Sequence, residues 1–227
     1  MIAALLRAFG NLFAPALRHV VGLSFALAIA SFAALWLALG LVLGGHASLG
    51  WRVLDWLVDL LGAVAALVLT WLLFPAVVTL VMGFFLDRIA GAVESLDYPG
   101  REPARRPPIA ETTMTTLRLM GLTLILNLLA LPIYVLAPGM NFFVFLALNG
   151  YLFGREYFEV VALRRLELTT ARALRARFAG RVFLGGMAIA GVFALPLVNL
   201  VAPVIATAFM VHLFESWRRA SPQLPAA

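Results

Sequence analysis

The chain has 227 residues, of which 63% are hydrophobic, with a mean hydropathy of +1.01 and a formal net charge of +6. A water-soluble domain of this size cannot bury so large an apolar fraction, because polar residues have to cover its exterior. This composition excludes an ordinary soluble protein. It predicts an all-α integral membrane protein, a single membrane domain over 1–227, with the lipid bilayer as its first partner.

Four long tracts carry no charged side chain. Each exceeds the roughly 20 residues that a helix needs to cross a hydrocarbon core of about 30 Å. The tracts are 19–51, 60–86, 119–154 and 182–214. We expect a first long span at 16–45 and a second span with its extension at 56–93. The apolar stripe of 1–14 has helical spacing but is too short to cross, so it predicts an amphipathic helix in the membrane interface.

The arginines predict the orientation of the chain. Five lie in 87–118 and seven in 155–181, whereas Arg52 is alone between the first two tracts. Cytoplasmic loops of membrane proteins carry an excess of positive residues. Sixteen of the 17 basic residues become cytoplasmic if both termini are cytoplasmic and the last two tracts each return to the side from which they enter.

Two near-copies of one proline motif supply a way for these tracts to return. ALPIYVLAP at 130–138 and ALPLVNLVAP at 194–203 each interrupt an uncharged tract. Proline removes a backbone donor and clashes with the preceding turn, so we expect helix breaks at Pro132, Pro138, Pro196 and Pro203. The pattern predicts two proline-broken helical hairpins.

The arms of these hairpins are short when they are measured on the charge-free residues. They are 119–136, 140–154, 182–195 and 204–214, and they reach roughly 17–27 Å, less than a full core. We therefore expect partial penetration of the membrane. A cytoplasmic loop at 94–111 precedes hairpin 1 with its surface helix (112–168), and an amphipathic surface helix opens the hairpin 2 segment (170–219).

No motif for catalysis, nucleotide binding or metal binding is evident. The chain has no cysteine, and His19, His46 and His212 are too scattered for a metal site. His46 and His212 are expected to be solvated or interfacial. We expect no enzyme activity, no catalytic residue, no cofactor, no metal and no nucleic-acid partner. No carboxylate lies deep in a tract, which favours passive movement over ion coupling.

Three polar side chains are candidates for a pore or its mouth. Asn141 and Asn199 fall at the hairpin tips, where they serve either as donors along a hydrophilic path or as caps and bridges for freed carbonyls. Arg155 lies four residues before Glu159. It either attracts anions at the cytoplasmic mouth or forms a helix-surface ion pair.

The segment APALRHV at 14–20 predicts an anion site. Pro15 suits the first turn of a helix. The backbone N–H groups of Ala16, Leu17 and Arg18 are then expected to be unpaired, and a helix start of this kind binds oxyanions. Arg18 adds a charged fork of donors. The alternative interpretation is that Arg18 only anchors the chain at the membrane.

The chain resembles the CysZ family of bacterial sulfate permeases, part of the wider etoposide-induced membrane protein group. The resemblance is carried by FAPALRHV, MGFFLDRIAGAVE, LNGYLFGREYFEVVALRR and LPLVNLVAPVIAT in that order. It implies two transmembrane helices, two partly penetrating hairpins, a homo-oligomer in the bacterial inner membrane, and passage of sulfate for cysteine biosynthesis. The family's sulfate-binding motif is Pro-Gly-Leu/Ile-Arg, and it corresponds here to Pro15, Ala16, Leu17 and Arg18, with Ala16 in place of glycine.

Two functions remain as alternatives. The first is a permease or channel for sulfate or a related small oxyanion. The second is a membrane scaffold of the same fold that does not transport. A continuous hydrated path favours the first, and an interior of apolar and self-satisfied polar groups favours the second.

Overall fold

The computed structural model describes residues 1–44, 85–105, 107–196 and 198–221, with the positions 60–62, 64, 67, 68, 70, 77, 81 and 83 between them. The described residues form helices joined by turns, and none of them is in a strand. The predicted all-α fold is therefore confirmed. In chain order the helices are α1 (Ile2–Asn11), α2 (Pro15–Gly44), α3 (Leu86–Asp97), α4 (Ile109–Leu136), α5 (Asn141–Ala162), α6 (Leu168–Arg177), α7 (Ala179–Phe193) and α8 (Ala202–Arg219).

Three of these helical segments are long and apolar enough to cross a membrane. They are Pro15–Ala34 in α2, Ala110–Leu136 in α4, and Val198–Arg219, which includes α8 and the turn before it. α6 and α7 together make a fourth candidate, bent by 88°. Half of the predicted second span, 56–93, lies outside the described residues, and its described end is α3.

The first hairpin breaks at one of its two predicted proline positions. Helix α4 runs through Pro132 and ends only at Leu136, where a short turn at Pro138–Met140 leads into α5. The predicted break at Pro132 is wrong, because a membrane helix tolerates a single lost backbone donor. Ala137, just before Pro138, leaves the α-helical region of backbone conformation, as expected of a residue that precedes proline.

The two prolines of the second hairpin also have different structural roles. Pro196 lies in the connection between α7 and the turn Val198–Val201, as predicted. Pro203 lies in the first turn of α8, where a missing N–H is harmless, so it starts a helix and does not break one.

The arms are longer than the charge-free tracts suggested. Helix α4 has 28 residues and α5 has 22, or about 42 Å and about 33 Å. Both helices of hairpin 1 continue beyond the charge-free arms 119–136 and 140–154 into polar and charged segments, and the length of each arm inside the membrane stays a prediction. For the same reason the loop is shorter than 94–111, since α3 continues to Asp97 and α4 starts at Ile109. Partial penetration stays a prediction.

Helix α8 forms the centre of the fold. It packs against α1, α3, α5 and α7, and 78% of its apolar window is buried. Phe209 and Phe214 are fully enclosed, and Trp217 stacks on Phe178 with ring centroids 5.6 Å apart. Helix α4 is the opposite case, since only 6% of its apolar window is buried.

Helix α1 divides its apolar stripe between protein and exterior. Ala8 is fully buried, and Leu5 and Phe9 pack against the core. Ile2 and Leu6 point outward and are largely exposed. This division fits an amphipathic helix, and its place in the membrane interface stays a prediction.

Candidate functional site

The predicted anion site at the start of α2 is only partly available. The carbonyl of Ala14 accepts hydrogen bonds from the N–H groups of Leu17 (3.1 Å) and Arg18 (2.9 Å). The expectation that all three N–H groups are free is therefore wrong, because the first helical bond of α2 already uses Arg18. The side chain of Leu17 is fully buried and anchors the helix start.

Two groups remain for an anion at this place. Ala16 and Arg18 are exposed. The N–H of Ala16 has no backbone acceptor, and the Arg18 guanidinium has no ion pair, among the described residues. The helix start thus offers one backbone donor and one free cation where the sequence predicted three donors and a cation.

The two tip asparagines lie where the sequence placed them. Asn141 begins α5, and Asn199 lies in the turn before α8, where its N–H donates to the carbonyl of Leu195 at 2.8 Å. Their side-chain oxygens are buried and have no partner among the described residues. Asn127 and Asn149 differ, since each donates to the carbonyl four residues earlier. The function of the tip asparagines therefore stays open, whereas Asn127 and Asn149 each hydrogen-bond to a backbone carbonyl of their own helix.

Arg155 forms the predicted ion pair. Its Nε lies 3.0 Å from Oε1 of Glu159, and Arg175 of α6 approaches the same oxygen at 4.0 Å. Glu159 itself is buried. The charge of Arg155 is therefore compensated, which weakens its proposed role of attracting anions.

The structure adds an arginine cavity that sequence reasoning missed. It has a volume of about 470 Å³ and lies where the loop 98–108 meets the turn 163–167. The backbone N–H of Arg105 donates to the carbonyl of Arg164 at 2.8 Å and holds the loop in place. The arginines that line the cavity are Arg101, Arg105, Arg164, Arg165 and Arg218.

Carboxylates already face these arginines. Buried Glu94 accepts hydrogen bonds from Arg164 at 3.1 Å and from Arg165 at 2.5 Å. Glu111 pairs with Arg105 at 2.8 Å, and Glu215 pairs with Arg101. An incoming oxyanion has to compete with these carboxylates. The arginines of the cavity therefore serve mainly in ion pairs that hold the loop 98–108 and the turn 163–167 to the neighbouring helices. In the sequence, its signal was Glu215, the single acid of α8, which directly follows the uncharged tract 182–214.

A second cavity, the threonine–carboxylate chamber, lies between α3, α4 and α5. Its volume is about 350 Å³. The first turns of α4 supply hydroxyl groups, and α3 and α5 supply acids. The polar residues that define it are Thr112, Thr115, Thr116, Asp87, Glu156 and Glu159.

Three buried polar atoms at this chamber have no hydrogen-bond partner among the described residues. They are Oγ1 of Thr115, Oε2 of Glu159 and Nε of Arg164. All three side chains belong to residues that are more than nine-tenths buried. Burial and the charge of Glu159 raise the pKa of the Glu156 carboxyl. The chamber was not predicted from the sequence, because its acids lie just beyond the ends of the charge-free tracts 60–86 and 119–154.

His212 is buried, so it is not solvated as one of the two expectations had it, and an interfacial position stays a prediction. Its Nδ1 lies 2.9 Å from the Tyr98 hydroxyl, and its Nε2 lies 3.3 Å from the Asn11 amide. The contacts join α1, α3 and α8. His46 lies outside the described residues. Within the part of the chain that is described, no group of three acid, histidine or cysteine side chains could hold a metal ion.

Comparison with known proteins identifies a family. A family model described as "Sulfate transporter CysZ/Etoposide-induced protein 2.4" matches residues 4–203. No curated protein and no solved structure matches the chain. The match covers the start of α2, the threonine–carboxylate chamber, the turn before α8, and every residue of the arginine cavity except Arg218.

Proposed function

The chain belongs to the sulfate transporter CysZ/etoposide-induced protein 2.4 family, and from this premise we propose that it is a permease for sulfate or a related small oxyanion. The observation that carries the proposal is the family match along 4–203 of a multi-pass helical chain. The arginine distribution supports a cytoplasmic position for both termini, and the resemblance to bacterial permeases supports a location in the bacterial inner membrane. Delivery of sulfate to cysteine biosynthesis is part of the same proposal.

Arg18 is the candidate contact for the anion. Its exposed guanidinium has no ion pair among the described residues, unlike the arginines of the arginine cavity. A free guanidinium offers an oxyanion two parallel donors without first breaking a protein ion pair. The exposed N–H of Ala16, two residues earlier, adds a donor from the helix start.

The membrane potential opposes entry of a dianion. Moving one charge across 100 mV corresponds to about 2.3 kcal/mol, so sulfate entering a cell that is negative inside meets about 4.6 kcal/mol per 100 mV. Passive movement, which the sequence favoured, is expected whenever sulfate alone is imposed as the gradient. Accumulation in a cell requires a further driving force.

The test is uptake of labelled sulfate into liposomes that contain the purified protein. We expect saturable downhill flux for the wild type and a loss of about tenfold or more for Arg18→Ala, equivalent to one charge-assisted contact of about 1.4 kcal/mol or more. Arg177→Ala, which removes an exposed arginine from α6, is the matched control and is expected to keep its flux. Equal flux for both variants removes Arg18 from the proposal and leaves the permease.

The second candidate function is a membrane scaffold. It is favoured by the apolar exposed face of α4, where Leu124, Leu128 and Leu131 are each more than half exposed. A scaffold predicts no flux of sulfate or of competing oxyanions in the same liposomes, although the protein is folded. That result would replace the permease with the scaffold.

We also propose that the protein is a homo-oligomer, as the resemblance implied, with α4 at the contact between copies. Since the chain has no cysteine, Leu128→Cys introduces a single thiol on the outer face of α4. Rapid disulfide cross-linking of this variant in membranes, and none for a cysteine in place of exposed Ala176 on α6, is the expected result. If neither variant forms a cross-link, α4 does not lie at the contact between copies.

A further inference from the structure

An apolar groove runs along hairpin 1 between its two arms. Its volume is about 510 Å³, and its walls are residues within 122–133 of α4 and 144–151 of α5. The described side chains that line this hairpin groove are apolar, apart from the hydroxyl of Tyr151. The lining residues of α4 include Leu126, whereas Leu128, which we place at the contact between copies, points to the opposite side of the helix. The hairpin groove is therefore a separate surface.

The hairpin groove exists because a small residue lies among large ones. Ala130 is buried, while Leu129 and Ile133 near it on α4 remain 65% and 42% exposed. Packed protein leaves few voids, so an apolar groove that no side chain fills is filled in a membrane by lipid hydrocarbon. From Leu122 to Ile133 the wall rises about 17 Å, which is about half of a hydrocarbon core of about 30 Å. The hairpin groove thus has the length of one acyl chain in one leaflet.

One end of the hairpin groove carries positive charge. Arg118 lies one turn before Leu122 on the same face of α4, and it is exposed with no ion pair among the described residues. Arg155 lies one turn after Tyr151 on α5, but Glu159 compensates its charge. These positions belong to the end of hairpin 1 that is predicted to be cytoplasmic, and tyrosine is enriched where a membrane meets water. The uncompensated group at this end is therefore the Arg118 guanidinium.

We propose that the hairpin groove binds an anionic phospholipid of the cytoplasmic leaflet, with one acyl chain between α4 and α5 and the phosphate at Arg118. A guanidinium offers a phosphate two parallel donors. Phosphatidylcholine carries its own cation beside its phosphate, whereas phosphatidylglycerol leaves its negative charge for the protein. A second copy fits less well, because the uncharged tracts that could pack into the groove bring no carboxylate to Arg118. The site does not depend on what the protein transports.

The experiment uses the full chain in phosphatidylcholine vesicles that contain a small fraction of a probe lipid with a photoreactive acyl chain. The probe is either phosphatidylglycerol or phosphatidylcholine, and the labelled residues are identified by mass spectrometry. We expect labelling within 122–133 and 144–151 to be about fivefold stronger with the phosphatidylglycerol probe, because one arginine near the membrane surface favours anionic lipid by about this factor. Exposed Leu184 of α7, outside the groove, is expected to be labelled equally by both probes.

Three variants test the groove itself. Arg118→Gln is expected to lower groove labelling by phosphatidylglycerol about fivefold, to the level of the phosphatidylcholine probe. Arg177→Gln, which removes an exposed arginine of α6, is the matched control and keeps the preference. Ala147→Phe fills the groove from α5 and is expected to remove groove labelling by both probes while Leu184 stays labelled. Because Arg118 and Ala147 are exposed, their replacement leaves the packed core in place.

Equal labelling of the groove by the two probes in the wild type overturns the proposal, because the groove then holds bulk lipid without selection. Labelling of Leu184 with none in the groove also overturns it, and it would show that protein, such as a second copy, covers this surface. A preference for phosphatidylglycerol that survives Arg118→Gln removes Arg118 from the site and refutes the assigned headgroup contact.

Discussion

The crossing of α5 and α7 depends on glycine at one position, which gives a sharp prediction about stability. At Gly186 the backbones almost touch, since an added Cβ would lie 1.8 Å from the carbonyl oxygen of Gly150 and 2.5 Å from the nitrogen of Gly154. Both neighbours are backbone atoms and cannot rotate away. Gly186→Ala therefore forces the two helices apart by more than an ångström or distorts them.

Helix propensity alone predicts that Gly186→Ala stabilises the protein. Alanine is favoured over glycine inside a helix by about 1 kcal/mol. Overpacking of a close contact costs about 1–3 kcal/mol, and more when backbone has to move. Because both clashing atoms belong to the backbone, the overpacking cost is about 3 kcal/mol or more. The net loss for Gly186→Ala is then about 2 kcal/mol or more, which corresponds to a fall in Tm of about 4–8 °C for a chain of this length.

Two further glycines of α7 serve as graded controls. At Gly191 an added Cβ meets nothing within 4 Å, so Gly191→Ala is expected to raise Tm by a few degrees. At Gly185 it meets Leu213 Cδ1 at 3.0 Å, a flexible side-chain end, so the effect is intermediate. The assay is thermal unfolding in detergent, followed by loss of the monodisperse peak. A Gly186→Ala protein whose Tm equals or exceeds that of the wild type would show that α5 and α7 do not pack closely at Gly186.

Three other outcomes are expected from the structure. Glu94→Gln leaves the buried Arg165 without a carboxylate partner, and we expect a loss of about 3–5 kcal/mol in the free energy of unfolding, measured against Glu102→Gln as control. Burial, with the charges of Glu215 and Asp97, raises the pKa of Tyr98, so the folded state holds this proton more tightly than the unfolded state. The resulting stability is complete below about pH 10 and is lost as pH rises through the raised pKa, a loss that Tyr98→Phe is expected to abolish in alkaline unfolding scans. Gly139→Cys at the tip of hairpin 1 is expected to resist a membrane-impermeant thiol reagent added from outside, and ready labelling there would show that the hairpin crosses fully.

The residues themselves determined the class of the protein. Sixty-three per cent hydrophobic residues and four uncharged tracts are compatible only with helices in a bilayer, because a spanning helix satisfies its own backbone. The Arg155–Glu159 pair was also predictable, since residues four apart are neighbours on any helix. The motifs that indicate the family are read directly from the chain, and the match over 4–203 confirms it.

The prolines show that local sequence is not sufficient to predict where a helix ends. Pro132 and Pro138 looked equivalent, and only Pro138 ends a helix. Whether a proline bends, starts or ends a helix depends on what else satisfies the freed carbonyl, and one sequence does not reveal that.

Only the tertiary structure decided which charges meet. Glu94 lies 70 residues from Arg164, and Glu159 lines the same chamber as Thr115, although nothing in their local sequence relates them. Such pairs form because each buried charge needs a partner once the apolar helices have packed, and the packing selects the partner. The sequence thus determined that the chain lies in a membrane and to which family it belongs, while the fold decided that Arg155 is paired and that Glu156 has no ion pair with any described residue.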